Sequence, residues 1–381
     1  MTGSGIIDNP WDIVTALASV GNIGARCVLN LRSGTYAGDF SSEFVGMAGY
    51  PATIKNYIGE TVLIDGSLDV TGEYALVEGL TITDLDFTDR TTDTPPSPTG
   101  AQALASNIEF RDCIVHDCAG GFYHPNTVQD IIYDGCIIFY NGYIGTDRPH
   151  SHGIYAKYKC IIRNCIIFSN MQYGVHIYGS GTNLDDCSVL NTIAFCNTDI
   201  SGGATYKSNM LHGNESGTVV NPTWRNNCTY RKASVDGYQN KFGYDGGVQG
   251  AVITDNYMPE GCQLQPGTYT ENSGNTLAAE EVNRIFVFNV RGRAHVAVYN
   301  WELLETVTID LSSMTNMSAG DTVSVTNVQD LAVDIANKTL DGSKCITVDM
   351  RAASHSVSTP QGLSAPASTF PEFGCFVVRK V

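Results

Sequence analysis

The segments IEFRDCIV (108–115), IIYDGCII (131–138), CIIRNCII (160–167), CSVLNTIA (187–194), PTWRNNCT (222–229) and AVITDNYM (251–258) align without a gap. The aligned turn positions are Cys113, Cys136, Cys165, Thr192, Asn227 and Asn256. Three places earlier stand Phe110, Tyr133, Ile162, Val189, Trp224 and Ile253, mostly bulky and apolar. Five places later the first four segments give Cys118, Asn141, Asn170 and Asn197. The segments recur after 23, 29, 27, 35 and 29 residues. Repeats of this length, rich in Ile, Val, Tyr and Cys and closed by polar turns, predict a solenoid of short strands. A helical repeat is disfavoured, because no period of 3.6 is sustained. The expected fold is all-β: a single-stranded, right-handed parallel β-helix over residues 1–280. Inward Asn side chains stacked coil upon coil would satisfy the turn backbone, with cysteine replacing some of them.

Working outward, NPWDIVTALASVG (9–21) reads as an amphipathic helix with Asn9 as its cap and Pro10 in the first turn. Such a helix would cover the open first coil. DRTTDTPPSPTGAQ (89–102) has no periodicity and reads as an exposed loop. From about residue 282 the strings IFVFNV, AHVAVYNW, ETVTIDLS, DTVSVTNV, KCITVDM and CFVVRKV alternate between turn signals. They predict a C-terminal antiparallel β-sandwich over 281–381, joined through ENSGNTLAAEEVN (271–283). Tyr299 and Trp301 are read there as packing residues and not as a sugar platform.

The chain has 381 residues and a net charge of −17, which argues against a nucleic-acid partner. No apolar run reaches the ~18 residues of a membrane span, and the first residues lack the pattern of a signal peptide. Charge is unevenly spread: residues 140–245 carry nine Lys/Arg against seven Asp/Glu. That locally basic stretch suits an anionic polymer. The twelve cysteines show no zinc-type spacing and are read mostly as free, buried thiols.

Three strings fall into one register: GGFYHP (120–125), HGIYAKY (152–158) and YGVHIYG (173–179). Strand side chains alternate between faces. Phe122, Ile154 and Val175 therefore point inward, while Tyr123, Tyr155 and His176 form an outward column, extended here to Ser201. Lys157 and Tyr178 come one outward step later. The insertion GTDRPHSH (145–152) beside this column adds Asp147, Arg148, His150 and His152. His124, Lys241 and Tyr244 are assigned to the same binding face. Asp147 and Asp199 flank the column and offer part of a calcium site. His150, His152 and His176 offer nitrogen ligands to a transition metal. Neither ion is required by the reading.

The stretches GSG…NPWDI (3–13), LRSGTYAGDF (31–40), PATIKNY…ETVLIDGSL (51–68), HGIY, YGVHIYGS and YNWELLETVTIDLSS…FGCFVVRK (299–380) resemble a group of bacterial right-handed β-helix proteins with the pectate-lyase-like fold. The last hundred residues also resemble the accessory β-sandwich domains at the end of many glycosidases. By analogy of fold, the resemblance implies a carbohydrate-related function. The protein is expected to act outside the cell, as a monomer, on a polysaccharide. The favoured reading is a lyase that cleaves a uronate polymer by β-elimination. His176 or His152 would take the proton, Tyr155 or Tyr178 would protonate the leaving oxygen, and Lys157 or Arg148 would neutralise the carboxylate. Tyr123, His124, His150, Asp147, Ser201, Lys241 and Tyr244 would bind the chain. A glycoside hydrolase is the alternative: Asn197-Thr198-Asp199 is similar to the NTD motif of polygalacturonases, and Asp185-Asp186 to their paired aspartates. Their order is reversed here, and the GHG and RIK motifs are missing. A third class is non-catalytic: a carbohydrate-binding protein, or a virion-associated tailspike or adhesin.

Overall fold

The computed structural model describes residues 4–18, 26–94, 99–181, 183–201, 208–232, 240–244 and 246–381. Each coil contributes three short strands, and each strand pairs in parallel with its equivalent in the next coil. Face 1 contains Ile108–Arg111, Ile131–Asp134, Cys160–Arg163, Ser188–Leu190 and Thr223–Arg225. Face 2 contains Ile114–His116, Ile137–Phe139, Ile166–Phe168, Ile193–Phe195 and Cys228–Tyr230. Face 3 contains Thr99–Ala103, Gly120–His124, Ile154–Ala156, Val175–Gly179, Met210–Asn214 and Asn240–Gly243.

The corner between faces 1 and 2 explains the repeat. Asp112, Gly135, Asn164, Asn191, Asn226 and Asp255 all have φ between 48° and 70°. That left-handed region is open to glycine and tolerated by Asn and Asp. The next residue points inward and ties neighbouring coils together. Thr192 N donates to Asn227 Oδ1 (3.1 Å), and Asn227 N donates to Asn256 Oδ1 (3.0 Å). In earlier coils the thiols of Cys113, Cys136 and Cys165 donate instead to the carbonyls of Val77, Phe110 and Tyr133, 3.4 to 3.6 Å away. A second ladder runs through Asn141, Asn170, Asn197 and Asn209, each Oδ1 accepting a backbone N–H at 3.1 Å from the ladder residue before it. All twelve cysteines are free thiols.

Three boundaries differ from the sequence reading. The N-terminal helix is Ile13–Leu17 and is capped by Asp12, not Asn9. The Asp12 carboxylate accepts from Thr15 N at 2.9 Å, which satisfies an N–H that a cap at Asn9 would leave unreached. Ala16 and Leu17 are its buried residues, and residues 19–21 lie outside the described chain. The segment expected to be a connection begins as solenoid. Gly267–Ser273 pairs in parallel with Val248–Thr254, and Asn275 continues the first ladder. Asp89–Thr92 of the expected exposed loop includes Arg90, which is buried.

Beyond Arg284 the chain forms a five-stranded antiparallel sheet and a separate two-stranded ribbon. Val296, Val298, Ile309, Met314, Val325, Ile346 and Phe376 form the core between them. The other side of the sheet is also apolar. Ala297, Tyr299, Phe373, Cys375 and Val377 pack on Phe139, Phe168, Phe195 and Tyr230 of face 2. The C-terminal unit therefore lies along the flank of the solenoid. Tyr299 is buried there and donates to Thr229 O (2.7 Å), and Trp301 Nε1 donates to Tyr257 Oη (2.8 Å). Both are packing residues.

Candidate functional site

Among the described residues, face 3 has no covering sheet in the coils where face 2 is sealed. Its outward row runs in register from Gln102 through Tyr123, Tyr155, His176 and Leu211 to Lys241. Phe122, Ile154 and Val175 point inward, as their parity requires. The rings of Tyr123 and Tyr155 lie 5.8 Å apart. Tyr155 stacks on His176 at 4.8 Å and 11°, and His176 on Tyr178 at 5.1 Å and 25°. Parallel strands bring equivalent side chains within such reach, so the row is a direct product of the coil register.

The insertion raises one wall. Tyr143–Ile144 and Pro149–His150 pair as an antiparallel hairpin. Buried Arg90 holds its base: Nη1 donates to Gly142 O (2.7 Å) and Tyr140 O (3.0 Å), and Nη2 pairs with Asp117 (2.6 Å). His150 stacks on Tyr143 at 5.0 Å and bonds Asp147 at 2.7 Å. Gln172 donates to Pro149 O. Between this wall and the row lies a cleft of about 450 Å³, lined by Arg148, His150, His152, Tyr155, His176 and Tyr178 among others.

His152 and His176 form the floor. His176 Nδ1 and His152 Nε2 are 2.8 Å apart, and the residues are 8% and 7% exposed. Burial, followed by the neighbouring cations, pushes the His152 pKa down to about 3; burial, then His152, pushes His176 well below its usual range. Both rings are therefore neutral at pH 7. Lys157 Nζ stands 4.3 Å from the Tyr155 ring centre and 5.3 Å from that of Tyr178. No carboxylate among the described residues lies within ion-pair distance of it, and partial burial lowers its pKa. Tyr178 Oη donates to Glu215 at 2.9 Å. Burial and that carboxylate push its pKa up, so the phenol keeps its proton.

Ten expected residues thus gather at or beside the cleft: Tyr123, Asp147, Arg148, His150, His152, Tyr155, Lys157, His176, Tyr178 and Tyr244. Lys241 stands at the far end of the row, 5.7 Å from the Tyr244 ring centre. Two expectations fail. His124 shares the parity of Phe122 and lies inside the solenoid, 0% exposed, bonded to Tyr133 Oη (3.0 Å) and Tyr158 O (2.8 Å). Ser201 does not continue the column, because Leu211 takes that register position. Ser201 ends a short 3-10 turn, and its side chain lies outside the described residues.

The carboxylates named for the metal and hydrolase alternatives each engage another side chain. Asp147 engages His150 and Arg148, and Asp199 pairs with Arg231 at 2.7 Å. Asp185 accepts from Tyr158, and Asp186 from Asn221. Among the described residues no three His, Cys, Asp or Glu side chains are grouped to hold a metal. Tyr143, Gln172, Tyr173, Leu211 and Glu215 also line the cleft and were not anticipated. Aligning MLHGN (210–214) beneath VHIYG (175–179) would have exposed Leu211 and placed Glu215 beside Tyr178.

Residues 56–198 match the family model described as a right handed beta helix region. No curated protein matches the chain. Among solved structures, the chain is similar to the pectate lyase Pel9A, with 16% identity over 71% of this chain and 73% of that one and a TM-score of 0.51. It is also similar to a rhamnogalacturonan lyase, with 14% identity over 73% of this chain and 83% of that one and a TM-score of 0.47. The fold is that of the pectate-lyase-like right-handed parallel β-helices.

Proposed function

We propose that the face 3 cleft binds a uronate-containing polysaccharide and cleaves it by β-elimination. The observation that carries this reading is Lys157, an amine held over two aromatic faces with no carboxylate within ion-pair distance among the described residues. Arg148, on the cleft wall, neutralises the sugar carboxylate and so acidifies the adjacent C5–H. Lys157 removes that proton, because its lowered pKa raises the neutral fraction available as a base. The electron pair forms the C4=C5 double bond as the C4–O bond breaks. Tyr178, whose phenol is protonated at pH 7, is the group assigned to protonate the departing oxygen. The histidines are poor bases here, since burial holds His152 at about 3 and His176 well below its usual range, which leaves little driving force to accept a carbon-bound proton. This moves the base from His176 or His152, the sequence expectation, to Lys157.

Hydrolysis needs two carboxyl groups facing one another across the bond. Glu215 is the one carboxylate among the described residues lining the cleft, so the lyase reading is preferred. Such a polymer is met outside the cell, and we assign the protein to that compartment. The test is incubation with a panel of polyuronates, following the ultraviolet absorbance of the new unsaturated uronate. Reducing ends without that absorbance would identify a hydrolase, and polymer retention without product would identify a binding protein.

A further inference from the structure

The His152–His176 contact carries more than a shared burial. We infer that His152 is a positioning residue that holds His176 in the form protonated on Nε2, so that His176 offers the cleft an N–H for a carboxylate oxygen. This rests on the reading that the cleft takes a uronate.

A neutral imidazole has one N–H and one bare nitrogen. The 2.8 Å contact between His176 Nδ1 and His152 Nε2 holds a single proton. If that proton belonged to His176, the proton of His152 would sit on its Nδ1. That atom is buried without any hydrogen-bond partner among the described residues. A buried N–H with no acceptor is among the least tolerated arrangements in proteins, and a bare nitrogen in the same place loses less. The field points the same way, because Arg148, Lys157 and His150 are the titratable groups acting on His152, and the positive charge of Arg148 and Lys157 favours a bare lone pair over an N–H. The proton therefore sits on His152 Nε2 and is donated to His176 Nδ1, which leaves the proton of His176 on Nε2.

Geometry fixes where that N–H goes. His176 lines the cleft and is 8% exposed, and its Nε2 makes no hydrogen bond among the described residues. The ring is clamped between Tyr155 and Tyr178, which oppose a flip that would exchange its two nitrogens. An N–H so placed binds an anionic oxygen and cannot take a proton, in keeping with Lys157 as the base.

The assignment of protons is directly measurable. The whole protein labelled with ¹⁵N-histidine is examined by long-range ¹H–¹⁵N spectra at pH 7. His176 is expected to be protonated on Nε2 and bare on Nδ1, and the reverse pattern overturns the inference. His152→Gln keeps a donor facing Nδ1 and should keep the pattern, whereas His152→Leu should give mixed forms. With a galacturonate oligomer as probe, His152→Leu should bind roughly tenfold more weakly or worse, since a charge-assisted hydrogen bond is lost. His152→Gln should recover most of that loss, and identical behaviour of the two variants overturns the positioning role. The expected spectrum without unsaturated product from any polymer would defeat the cleavage reading alone.

Discussion

Faces 2 and 3 belong to the same coils, and both stack aromatic rings in register, yet they meet opposite fates. On face 2, His116, Phe139, Phe168 and Phe195 stack at 4.8 to 4.9 Å with interplanar angles of 4° to 6°. Apart from His116 these rings have no polar atom, and the C-terminal sheet seals them, with Phe373 stacked on Tyr230 at 4.4 Å. On face 3 the row is Tyr123, Tyr155 and His176, with a lysine above it, and no sheet among the described residues seals it. Aromatic stacking by itself is thus a by-product of parallel register. What separates a docking face from a working face is whether the rings carry groups that want water, charge or a ligand.

That contrast can be broken most sharply at Lys157. Lys157→Ala should lower formation of unsaturated product by about 10²- to 10⁴-fold, the usual worth of a positioned base, and leave the denaturant midpoint unchanged. A loss of stability matching the loss of rate would remove the distinction between the faces. The opposite signature is expected from Phe168→Ala, buried between Phe139 and Phe195. It should cost about 3–5 kcal/mol in chemical denaturation, with activity per folded molecule retained.

The third prediction concerns the inner side of face 3. Burial holds the His124 pKa at about 4 when folded, against an ordinary 6.5. The unfolded chain therefore takes up a proton that the folded one refuses, and stability falls as pH drops from 6.5 towards 4. The contribution is about 3 kcal/mol for this one residue. Denaturant titrations at pH 7 and pH 4 should show that loss reduced by a similar amount in His124→Phe. A smaller effect is expected at Asp112→Asn, where Arg291 and Arg293 of the C-terminal unit meet a partly exposed carboxylate. About 1 kcal/mol should be lost, less at high salt. Smallest is Tyr123→Ala, at the open end of the row, which should raise KM by roughly fivefold through lost stacking of about 1 kcal/mol and leave kcat nearly untouched.

The fold was legible because its demands are local and repeated. A left-handed corner admits Gly, Asn or Asp, and those residues stand at Asp112, Gly135, Asn164, Asn191, Asn226 and Asp255. The inward ladder then asks for an amide or a small donor, hence Asn or Cys. The site was partly legible for the same reason, since alternation puts Tyr123, Tyr155 and His176 on one side. Its parity with Phe122 should have placed His124 inside. Ser201 was misplaced because the turn after Asn197 differs in length from those before it, and register cannot be counted across it. Glu215 was hidden one turn beyond a strand that had not been aligned. The docking of the C-terminal sheet was not legible at all, because alternation in AHVAVYNW reveals an apolar side without saying what covers it.

The sheet on the flank also changes how the molecule would respond to force. It is fastened at Asp112, Asp134 and Tyr140, whose Oη holds Ser358 O, near one end and at Thr229 and Tyr257 near the other. It therefore acts as a splint across successive coils. The strands Val28–Leu31 and Ala52–Asn56 have no hydrogen bond to it among the described residues. Stretched along its axis, the protein would shed those leading coils one at a time, while the splinted coils would hold until the flank tore away and then yield together. The cleft sits among the splinted coils, in the stiffest part of the rod.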